Sequence, residues 1–358
     1  MFIRNYLKTI LLILPITIYG QINNTPIDVP LKLSGTFGEV RSTHFHGGLD
    51  IKTKGKQGVK VYSINDGYVN RIRVSTKGYG KSLYIIHPDG ITSIYGHLKR
   101  FSPKIEGYIK NIQYLNETFE IQNFPKPNLL KISSGELIGL SGNTGSSTGP
   151  HLHFELRNSK TQNPINPLRY GIKIFDTIPP KINSLYLYKV KNNGSYEFIE
   201  KMKIQKKNDS LYLASKVLKY GNLGLGINFY DKQDLSYSRN GIYKLNFKID
   251  NKLIFKYSMD EISLNDKKHL NLFIDYINWK KNKNKVQKLF THPKGQYEFV
   301  KNTISNGVFN INKNQTSSGI ILIEDFNHNK VRIELSFIGK EEAISKAKRR
   351  WKDKIKIV

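Results

Sequence analysis

Short runs of β-branched and aromatic residues, separated by turns, repeat along the first half of the chain. Six runs alternate or cluster in the manner of strands, at residues 59–64, 67–74, 82–87, 92–97, 136–141 and 151–157. The turns between them include Asn65-Asp66-Gly67 and Pro88-Asp89-Gly90, whose residues favour the tight backbone conformations of hairpins. This pattern predicts a sheet of short antiparallel strands.

Residues 101–133 interrupt this pattern. The run 104–114 has a pattern that favours a helix, and Phe124-Pro125-Lys126-Pro127 is proline-rich. We therefore expect 101–133 to be a partly helical insertion within one domain that spans residues 21–172.

The residue pattern changes at Asp176-Thr177-Ile178-Pro179-Pro180, where two adjacent prolines indicate a linker. Further short strand patterns follow, at residues 184–190, 223–230, 241–249, 252–257, 319–325 and 330–337. Evenly spaced short strands without helical patterns predict an Ig-like β-sandwich over 175–338. Residues 339–358 form a basic C-terminal tail, and the fold class is dominated by β-structure.

The first twenty residues have the pattern of a secretory signal peptide. Arg4 and Lys8 precede an apolar run from Ile10 to Ile18, which is shorter than the roughly 20 residues that span a bilayer. Gly20 supplies a small residue for cleavage, although Ile18 fits a cleavage site poorly, so an uncleaved N-terminal anchor is the alternative. Either interpretation predicts export to the periplasm or cell envelope. If the signal is cleaved, no integral membrane segment is expected to remain.

The net charge of the chain restricts the range of possible binding partners only slightly. The 358 residues carry a formal net charge of +29, and most of the excess lies beyond residue 172. A basic surface can face nucleic acid, anionic lipid or an acidic polymer such as a cell wall. No nucleic-acid-binding motif occurs, so no nucleic-acid partner is expected, and the sequence identifies no protein partner.

Candidate chemistry is concentrated in the histidines of the first half. The chain has no cysteine, so a metal ion must bind to His, Asp or Glu. Six of the nine histidines lie between residues 44 and 153, and five of them fall in three motifs: His44-Phe45-His46-Gly47-Gly48-Leu49-Asp50, Tyr95-Gly96-His97, and His151-Leu152-His153. In a strand, His151 and His153 point to the same face, and an irregular loop entering the strand at Leu49 would bring His46 and Asp50 inward.

These motifs, followed by Gly142-Asn143-Thr144-Gly145 and Gly149-Pro150-His151-Leu152-His153-Phe154, resemble the M23 (lysostaphin/LytM-type) zinc endopeptidases. The resemblance covers about residues 36–168 and implies an antiparallel β-sheet peptidase domain over 21–172. The longer segment 101–133 resembles the variant found in exported enzymes of Bacteroidetes-type Gram-negative bacteria.

The resemblance also assigns roles to residues. It implies that one Zn²⁺ ion is bound by His46, Asp50 and His153, and that His97 and His151 flank the catalytic water and the developing oxyanion. Two imidazoles and one carboxylate leave an open fourth position, which is typical of catalytic zinc. His151 is the preferred general base and His97 its partner or oxyanion donor, although the two roles can be exchanged.

Four other residues have weaker indications. Asn143 is a candidate substrate contact or a residue that shapes its loop. His44 is expected to support the site or lie at the surface, His87 to belong to a turn, and Glu155 to be a structural strand acid rather than a base.

The predicted function is that of a zinc metalloendopeptidase that hydrolyses peptide cross-links of peptidoglycan through a zinc-activated water, with D-alanyl–diaminopimelate bonds favoured. One alternative is a non-catalytic relative that binds the wall or activates another hydrolase. The presence of all three expected ligands and both flanking histidines favours catalysis. Another alternative is a binding module whose basic C-terminal domain holds an acidic polymer.

Overall fold

The fold of the protein was analysed in a computed structural model, which describes residues 22–234, 236–301 and 303–340. The predicted signal peptide, residues 1–20, lies outside the described residues, as does all of the predicted basic tail beyond residue 340. Antiparallel β-sheets dominate the described chain, as expected. None of its described helices is long and apolar enough to cross a membrane.

Within the described residues, the first half builds a sheet of eleven strands and one helix. The strands are β1 (Leu33–Gly35), β2 (Leu49–Lys52), β3 (Lys60–Tyr62), β4 (Gly67–Val74), β5 (Lys81–Ile86), β6 (Ile91–Phe101), β7 (Ile121–Asn123), β8 (Lys131–Ile132), β9 (Leu137–Ser141), β10 (His151–Asn158) and β11 (Pro164–Ile165). Their main order is β1-β2-β10-β6-β5-β4-β7, while β3 pairs with β9, β9 with β6, β8 with β4, and β11 with β10. A 3₁₀ turn at Pro167–Tyr170 follows β11.

The helix α1 (Pro103–Leu115) lies between β6 and β7, inside the segment expected to be a partly helical insertion. Pro103 stands at the start of the helix, where its missing N–H costs no intrahelical hydrogen bond. Ile105 and Ile109 are its buried residues, and their spacing of four places both on the face that meets the sheet. The helix is thus attached to the sheet by a narrow apolar stripe.

The second half contains two further sheets. Its strands are β12 (Lys181–Val190), β13 (Tyr196–Met202), β14 (Ile204–Asn208), β15 (Leu211–Ala214), β16 (Val217–Leu218), β17 (Gly221–Gln233), β18 (Ser236–Asn240), β19 (Lys244–Ile249), β20 (Lys252–Ser258), β21 (Gln287–Lys288), β22 (Val300–Lys301), β23 (Phe309–Ile311), β24 (Thr316–Glu324) and β25 (Lys330–Ile338). One sheet has the order β13-β12-β17-β18, with β21 and β23 also on β17. The other has the order β14-β15-β25-β24-β19-β20-β22, with β16 on β25.

Aromatic side chains join these two sheets. Phe309 of β23 makes edge-to-face contacts with Phe247 of β19, at 5.4 Å between ring centroids, and with Phe337 of β25, at 5.2 Å. All three rings are at most 5% exposed. Two packed sheets fit the architecture expected of a sandwich, while the specific Ig-like assignment stays a prediction.

Helical turns between β20 and β23 depart from the expectation of a second half without helices. The helices are α2 (Leu270–Phe273) and α3 (Tyr276–Asn282), accompanied by 3₁₀ turns at Asp266–His269 and Ser305–Gly307. Asp275 caps α3 by accepting a hydrogen bond from the Asn278 N–H. These elements are too short to produce a sustained helical periodicity in the sequence.

The two halves are in direct contact. Phe45, in the loop between β1 and β2, packs edge-to-face on Phe273 and Phe299, with ring centroids 5.5 and 5.3 Å apart. The Ser236 hydroxyl of β18 donates to the Leu33 carbonyl of β1 at 2.7 Å. One continuous cluster of buried apolar residues includes side chains from both halves. The division into domains 21–172 and 175–338 stays a prediction, but the structure shows that the two segments share a core.

Candidate metal centre and cleft

Two neighbouring strands place a carboxylate beside an imidazole. β2 and β10 run antiparallel, and Asp50 lies directly opposite His153. Directly opposite residues in such a ladder extend from the same face of the sheet. On its other side, β10 pairs His153 with Gly96 of β6, which brings His97 to the same end of the sheet. Sheet pairing therefore assembles motifs that are distant in sequence.

His46 reaches this place from the loop that precedes β2. The loop is fixed by backbone hydrogen bonds of 2.8 Å from the His46 N–H to the Glu39 carbonyl and from the Gly38 N–H to the His46 carbonyl. At Gly48, a Cβ atom would lie only 2.3 Å from the Phe154 carbonyl oxygen. Only glycine allows the loop to approach β10 this closely, so Gly48 is part of how the site forms.

The side chains of His46, Asp50 and His153 converge. Their potential ligand atoms all lie within 4.8 Å of one another. Asp50 Oδ1 is 3.1 Å from His46 Nε2 and 2.8 Å from His153 Nδ1, and these two nitrogens are 3.2 Å apart. The three residues are at most 5% exposed. Two nitrogens and one oxygen therefore face a common, largely buried point.

Hydrogen bonds behind each ring determine which nitrogen faces this point. His46 Nδ1–H donates to the Thr36 carbonyl at 2.8 Å, which leaves Nε2 toward Asp50. His153 Nε2–H donates to Glu155 Oε1 at 2.8 Å, which leaves Nδ1 toward Asp50. Because carbonyl and carboxylate oxygens only accept, the inward nitrogen of each neutral ring carries a lone pair. This is the form of imidazole that a metal ion requires.

Glu155 belongs to a buried group of its own. Its Oε2 accepts hydrogen bonds from Arg157 Nε at 2.8 Å and Nη2 at 2.6 Å, and its Oε1 also accepts one from the Tyr79 hydroxyl. The Tyr79 ring stacks on His153 with centroids 4.7 Å apart. Glu155 is thereby held in place, and it orients His153 in turn.

Arg41 performs a similar task on the other side of the site. Its Nη2 donates to Asp50 Oδ2 at 2.5 Å and lies 3.4 Å from Glu39 Oε2. Asp50 is therefore bound by the guanidinium through one oxygen while the other oxygen faces the histidines.

The charges of these groups are strongly coupled. Burial alone would raise the pKa of Asp50, but His46 and the hydrogen bonds from the histidines hold it well below its usual range. Burial alone would lower the pKa of His153, but its hydrogen bonds to Asp50 and Glu155 raise that pKa to about 9. At neutral pH the ring is therefore protonated, with Nδ1–H donating to Asp50 Oδ1, and a metal ion would displace this proton on binding. Burial opposes the charge of Glu155 too, yet Arg157 and His153 hold its pKa far below the usual value. Both carboxyl groups are therefore ionised.

His97 and His151 lie beside the three converging residues. His97 Nδ1–H donates to the Thr144 carbonyl and His151 Nδ1–H to the Gly149 carbonyl, both at 2.8 Å. Their ring centroids are 4.7 Å apart, and His151 Nε2 is 3.4 Å from Asp50 Oδ1. Burial and the neighbouring histidines lower the pKa of His97 to about 4, so this ring is neutral at pH 7. Both rings have Nε2 as the nitrogen not held by a carbonyl.

The backbone of His97 has a left-handed conformation, with φ of 59°. This conformation is uncommon for a residue other than glycine. The register of β6 with β5 and with β9 shifts beside it, at Leu98. The irregularity turns the His97 side chain to a position that a regular strand would not give it.

All five residues line one open cleft of about 900 Å³. The loop 146–150 forms part of its wall, together with Tyr79. Its lining also contains four basic side chains: Arg41, Lys52, Lys54 and Lys285. Lys285 comes from the second half of the chain and donates to the Val40 carbonyl at 2.8 Å. The cleft can therefore receive an extended chain that carries negative charge.

The structure brings together the five residues singled out in the sequence as ligands or flanking histidines. Asn143 is half-buried, with a buried Oδ1 that lacks a hydrogen-bond partner, and its substrate contact stays a prediction. His44 is exposed and lines the cleft. His87 is buried and contacts the Asp66 carbonyl and Ser93 Oγ, so it is tied into the fold.

Sequence reasoning missed the supporting residues Arg41 and Tyr79 and the part that Glu155 plays. Glu155 carried a usable signal, because it follows His153 by two residues in the same strand and must share its face. Arg41 and Tyr79 carried none, since only the folded loops bring them to the site.

The donor set fits a zinc ion. Imidazole nitrogen and carboxylate oxygen are ordinary zinc ligands, and three protein ligands are the number found in catalytic sites. The outer hydrogen bonds to Thr36, Glu155 and Arg41 are of the kind that orients metal ligands. A second group of three buried carboxyl groups, in the other half of the chain, contains no imidazole.

Comparison with known proteins agrees with this geometry. Residues 44–130 and 123–167 match peptidase family M23, and both ranges lie within the predicted domain 21–172. The chain therefore carries a peptidase family M23 domain, and the family resemblance noted in the sequence is confirmed.

The named relatives are similar to only part of this chain. DD-carboxypeptidase/endopeptidase Mpg of Neisseria meningitidis serogroup B is 31% identical over 153 residues, which cover 41% of this chain and 29% of that protein. Peptidoglycan DD-endopeptidase ShyA of Vibrio cholerae is 29% identical over 176 residues, or 46% of this chain and 34% of that protein. Lysostaphin of Staphylococcus simulans is 30% identical over 136 residues, which cover 36% of this chain and 23% of that protein. The matched segments thus span about a third or less of these relatives.

Solved structures give similarly local matches. The catalytic domain of the prophage-encoded M23 protein EnpA from Enterococcus faecalis aligns with a TM-score of 0.30 and 23% identity, covering 43% of this chain and 98% of that one. The catalytic domain of lysostaphin from Staphylococcus simulans aligns with a TM-score of 0.28 and 24% identity, covering 39% of this chain and 88% of that one.

Proposed function

We propose that this chain, whose residues 44–167 form a peptidase family M23 domain, is a zinc metalloendopeptidase that hydrolyses peptide cross-links of peptidoglycan. The observation that carries the proposal is the convergence of His46, Asp50 and His153 beside His97 and His151 in one open cleft. The presence of all five groups favours a catalytic protein over a wall-binding or hydrolase-activating relative.

His46 Nε2, Asp50 Oδ1 and His153 Nδ1 would hold the ion. When bound, Zn²⁺ supplies Lewis acidity, which lowers the pKa of water and polarises a peptide carbonyl. Arg41 and Glu155 keep Asp50 and His153 in the orientation that the ion needs.

His97 and His151 supply the proton chemistry. Each ring donates Nδ1–H to a backbone carbonyl, so its Nε2 carries the lone pair when the ring is neutral. Nε2 of one ring takes the proton of the water that attacks the scissile peptide. A ring protonated in this way can then donate a hydrogen bond to the developing oxyanion or pass the proton to the leaving amine. His151 remains our choice for the base and His97 for its partner.

The basic cleft supports an anionic peptide as substrate. Lys52, Lys54 and Lys285 line it, and stem peptides that contain diaminopimelate carry free carboxylates. Of the relatives described above, one is named a DD-carboxypeptidase/endopeptidase and another a peptidoglycan DD-endopeptidase, so the D-alanyl–diaminopimelate bond is the proposed point of cleavage.

Digestion of purified sacculi tests this function. Zinc-loaded protein should convert cross-linked muropeptide dimers of a diaminopimelate-containing wall into monomers, as read by mass spectrometry. The His153→Ala variant should leave the dimers intact, while His292→Ala, a histidine in the second half of the chain, should digest them normally. Retention of cross-linked dimers by the wild-type protein would refute the endopeptidase proposal, and cleavage confined to glycine-bridged walls would refute the bond specificity.

We also propose that the chain is exported to the periplasm or cell envelope. The basic start and short apolar run of residues 1–20 support this location, as does a substrate that lies outside the cytoplasm. Fractionation of cells and the intact mass of the recovered protein provide the test. A chain that begins at Gln21 in the periplasmic fraction is expected, and a full-length cytoplasmic protein would contradict export.

A further inference from the structure

Three aspartates from separate segments meet in the second half of the chain. Asp176 precedes β12, Asp231 lies in β17, and Asp325 follows β24. Their carboxylate oxygens lie within 4.8 Å of one another, and each residue is at most 8% exposed. In a chain of net charge +29, such a concentration of buried negative charge calls for a compensating partner.

The three carboxyl groups oppose one another's ionisation. Their ligand oxygens lie within 4.8 Å of one another, so a negative charge on one disfavours a negative charge on the next. A cation bound between them would offset this repulsion.

Hydrogen bonds satisfy this group only in part. Both oxygens of Asp325 accept from Asn329, at 2.9 Å from its backbone N–H and 2.7 Å from Nδ2. Asp231 Oδ1, in contrast, is buried without a hydrogen-bond partner. Asn240 lies directly opposite Asp231 in the β17–β18 ladder, so the two side chains extend from the same face of the sheet. Asn240 is 3% exposed, and its Oδ1 and Nδ2 atoms also lack hydrogen-bond partners. Buried polar atoms in native proteins normally bind a partner, a water or an ion.

A small cavity adjoins these groups. Its volume is about 30 Å³, and its lining includes all three aspartates together with Gln233 and Asn327. A cavity needs about 10–15 Å³ on this measure to hold one water molecule, so this one has room for an ion and its water. Oxygen donors without nitrogen or sulfur select hard cations.

We propose that Asp176, Asp231 and Asp325 bind a Ca²⁺ ion. Ca²⁺ accepts six to eight oxygens in flexible geometry, which suits carboxylates that arrive from three unrelated segments, whereas Mg²⁺ demands a near-ideal octahedron. The cavity also touches Thr36 and Leu168 of the first half, so the ion stabilises the contact between the two halves. The site is independent of the proposed peptidase function.

Calcium titration of the full-length protein tests the proposal. Isothermal titration of calcium-free wild-type protein with CaCl₂ should show one site per chain, and saturating Ca²⁺ should raise Tm by about 3–10 °C over equal ionic strength of NaCl. Asp231→Asn should weaken binding at least tenfold. Asp209→Asn, the same substitution in an exposed turn, should bind as the wild type does.

The readout separates this site from the zinc centre. His153→Ala should lose zinc and yet keep the Ca²⁺-dependent rise in Tm. Absence of both calcium heat and a Tm shift in the wild type would overturn the proposal, and this measurement needs no variant that might misfold. An equal response of Asp231→Asn and Asp209→Asn would overturn it as well.

Discussion

At the scale of single residues, Asp50 shows how the metal centre is organised. One of its oxygens lies within 3.4 Å of nitrogens from His46, His151 and His153, and the other is bound by Arg41. The partners on each side restrict the carboxylate to one orientation. Ligands that are fixed in advance lose less freedom when a metal ion binds, so these outer contacts contribute to metal affinity.

Glu155 provides the first test of such a contact. Glu155→Gln replaces the charged acceptor of the His153 Nε2–H with a neutral amide, so we expect zinc affinity to fall by about 10–100-fold. Competition with a chromogenic chelator measures the affinity, and circular dichroism confirms folding, since Arg157 loses its buried partner. Glu117→Gln, an exposed change of the same kind, serves as the control. Equal zinc affinity in both variants would show that Glu155 does not position His153.

The sequence points to the five central residues through three short motifs, and the family resemblance of these motifs assigns the residues their roles. His151 and His153 share a strand face by the period of two, and His46 and Asp50 flank a glycine pair. The carbonyls of Thr36, Thr144 and Gly149 that hold the rings are not predictable, since any residue supplies a carbonyl and only the fold brings it to the imidazole.

At the scale of elements, the alternation of apolar and polar residues predicts the longer strands well and the short strands poorly. The run 67–74 was predicted and forms β4 with the same bounds, since its apolar residues alternate and Gly turns bound it. The two-residue strands β8, β11, β16, β21 and β22 carry no periodic signal, because a pattern needs several residues to appear. Their pairing is decided by the longer strands that they join.

β21 also contains an unusual lysine, which gives a prediction on pH. Lys288 is 2% exposed, and its Nζ lies 4.4 Å from the Tyr196 ring centroid. Burial lowers its pKa from 10.5 to about 8, although Asp275 partly opposes the shift. Between pH 8 and 10.5 the unfolded chain therefore holds more protons at this group than the folded one, and stability from this group rises with pH.

Lys288→Met removes this dependence. The free energy of unfolding of the variant relative to the wild type should be highest at pH 7 and fall by about 3 kcal/mol towards pH 10.5. Urea unfolding over this pH range gives the difference, in which tyrosine ionisation common to both proteins cancels. Lys281→Met, at an exposed position, provides the control. A difference that stays constant with pH would contradict the assigned charge state of Lys288.

At the scale of the whole molecule, the shared core predicts that the two halves unfold together. Phe45 of the first half is 1% exposed and packs on Phe273 and Phe299 of the second. Phe45→Ala should lower the free energy of unfolding by about 3–5 kcal/mol and keep a single transition. Far-UV circular dichroism and tryptophan fluorescence should report the same midpoint.

The control for this prediction is Phe119→Ala, since Phe119 is 63% exposed and its loss should change stability by less than about 0.5 kcal/mol. Two separate transitions in the wild type, with Phe45→Ala shifting only one, would mean that the halves fold independently despite their contact.

The central claim is the division of the five site residues into three ligands and two groups that act on protons. Zinc content and cleavage rate, measured on the same samples of His153→Ala and His151→Ala, test it most directly. We expect His153→Ala to lose both zinc and activity, because two protein ligands hold zinc poorly. His151→Ala should keep near-stoichiometric zinc while its turnover falls by about 10²–10⁴-fold. Loss of zinc from His151→Ala with retention in His153→Ala would reverse the ligand assignment and contradict the account.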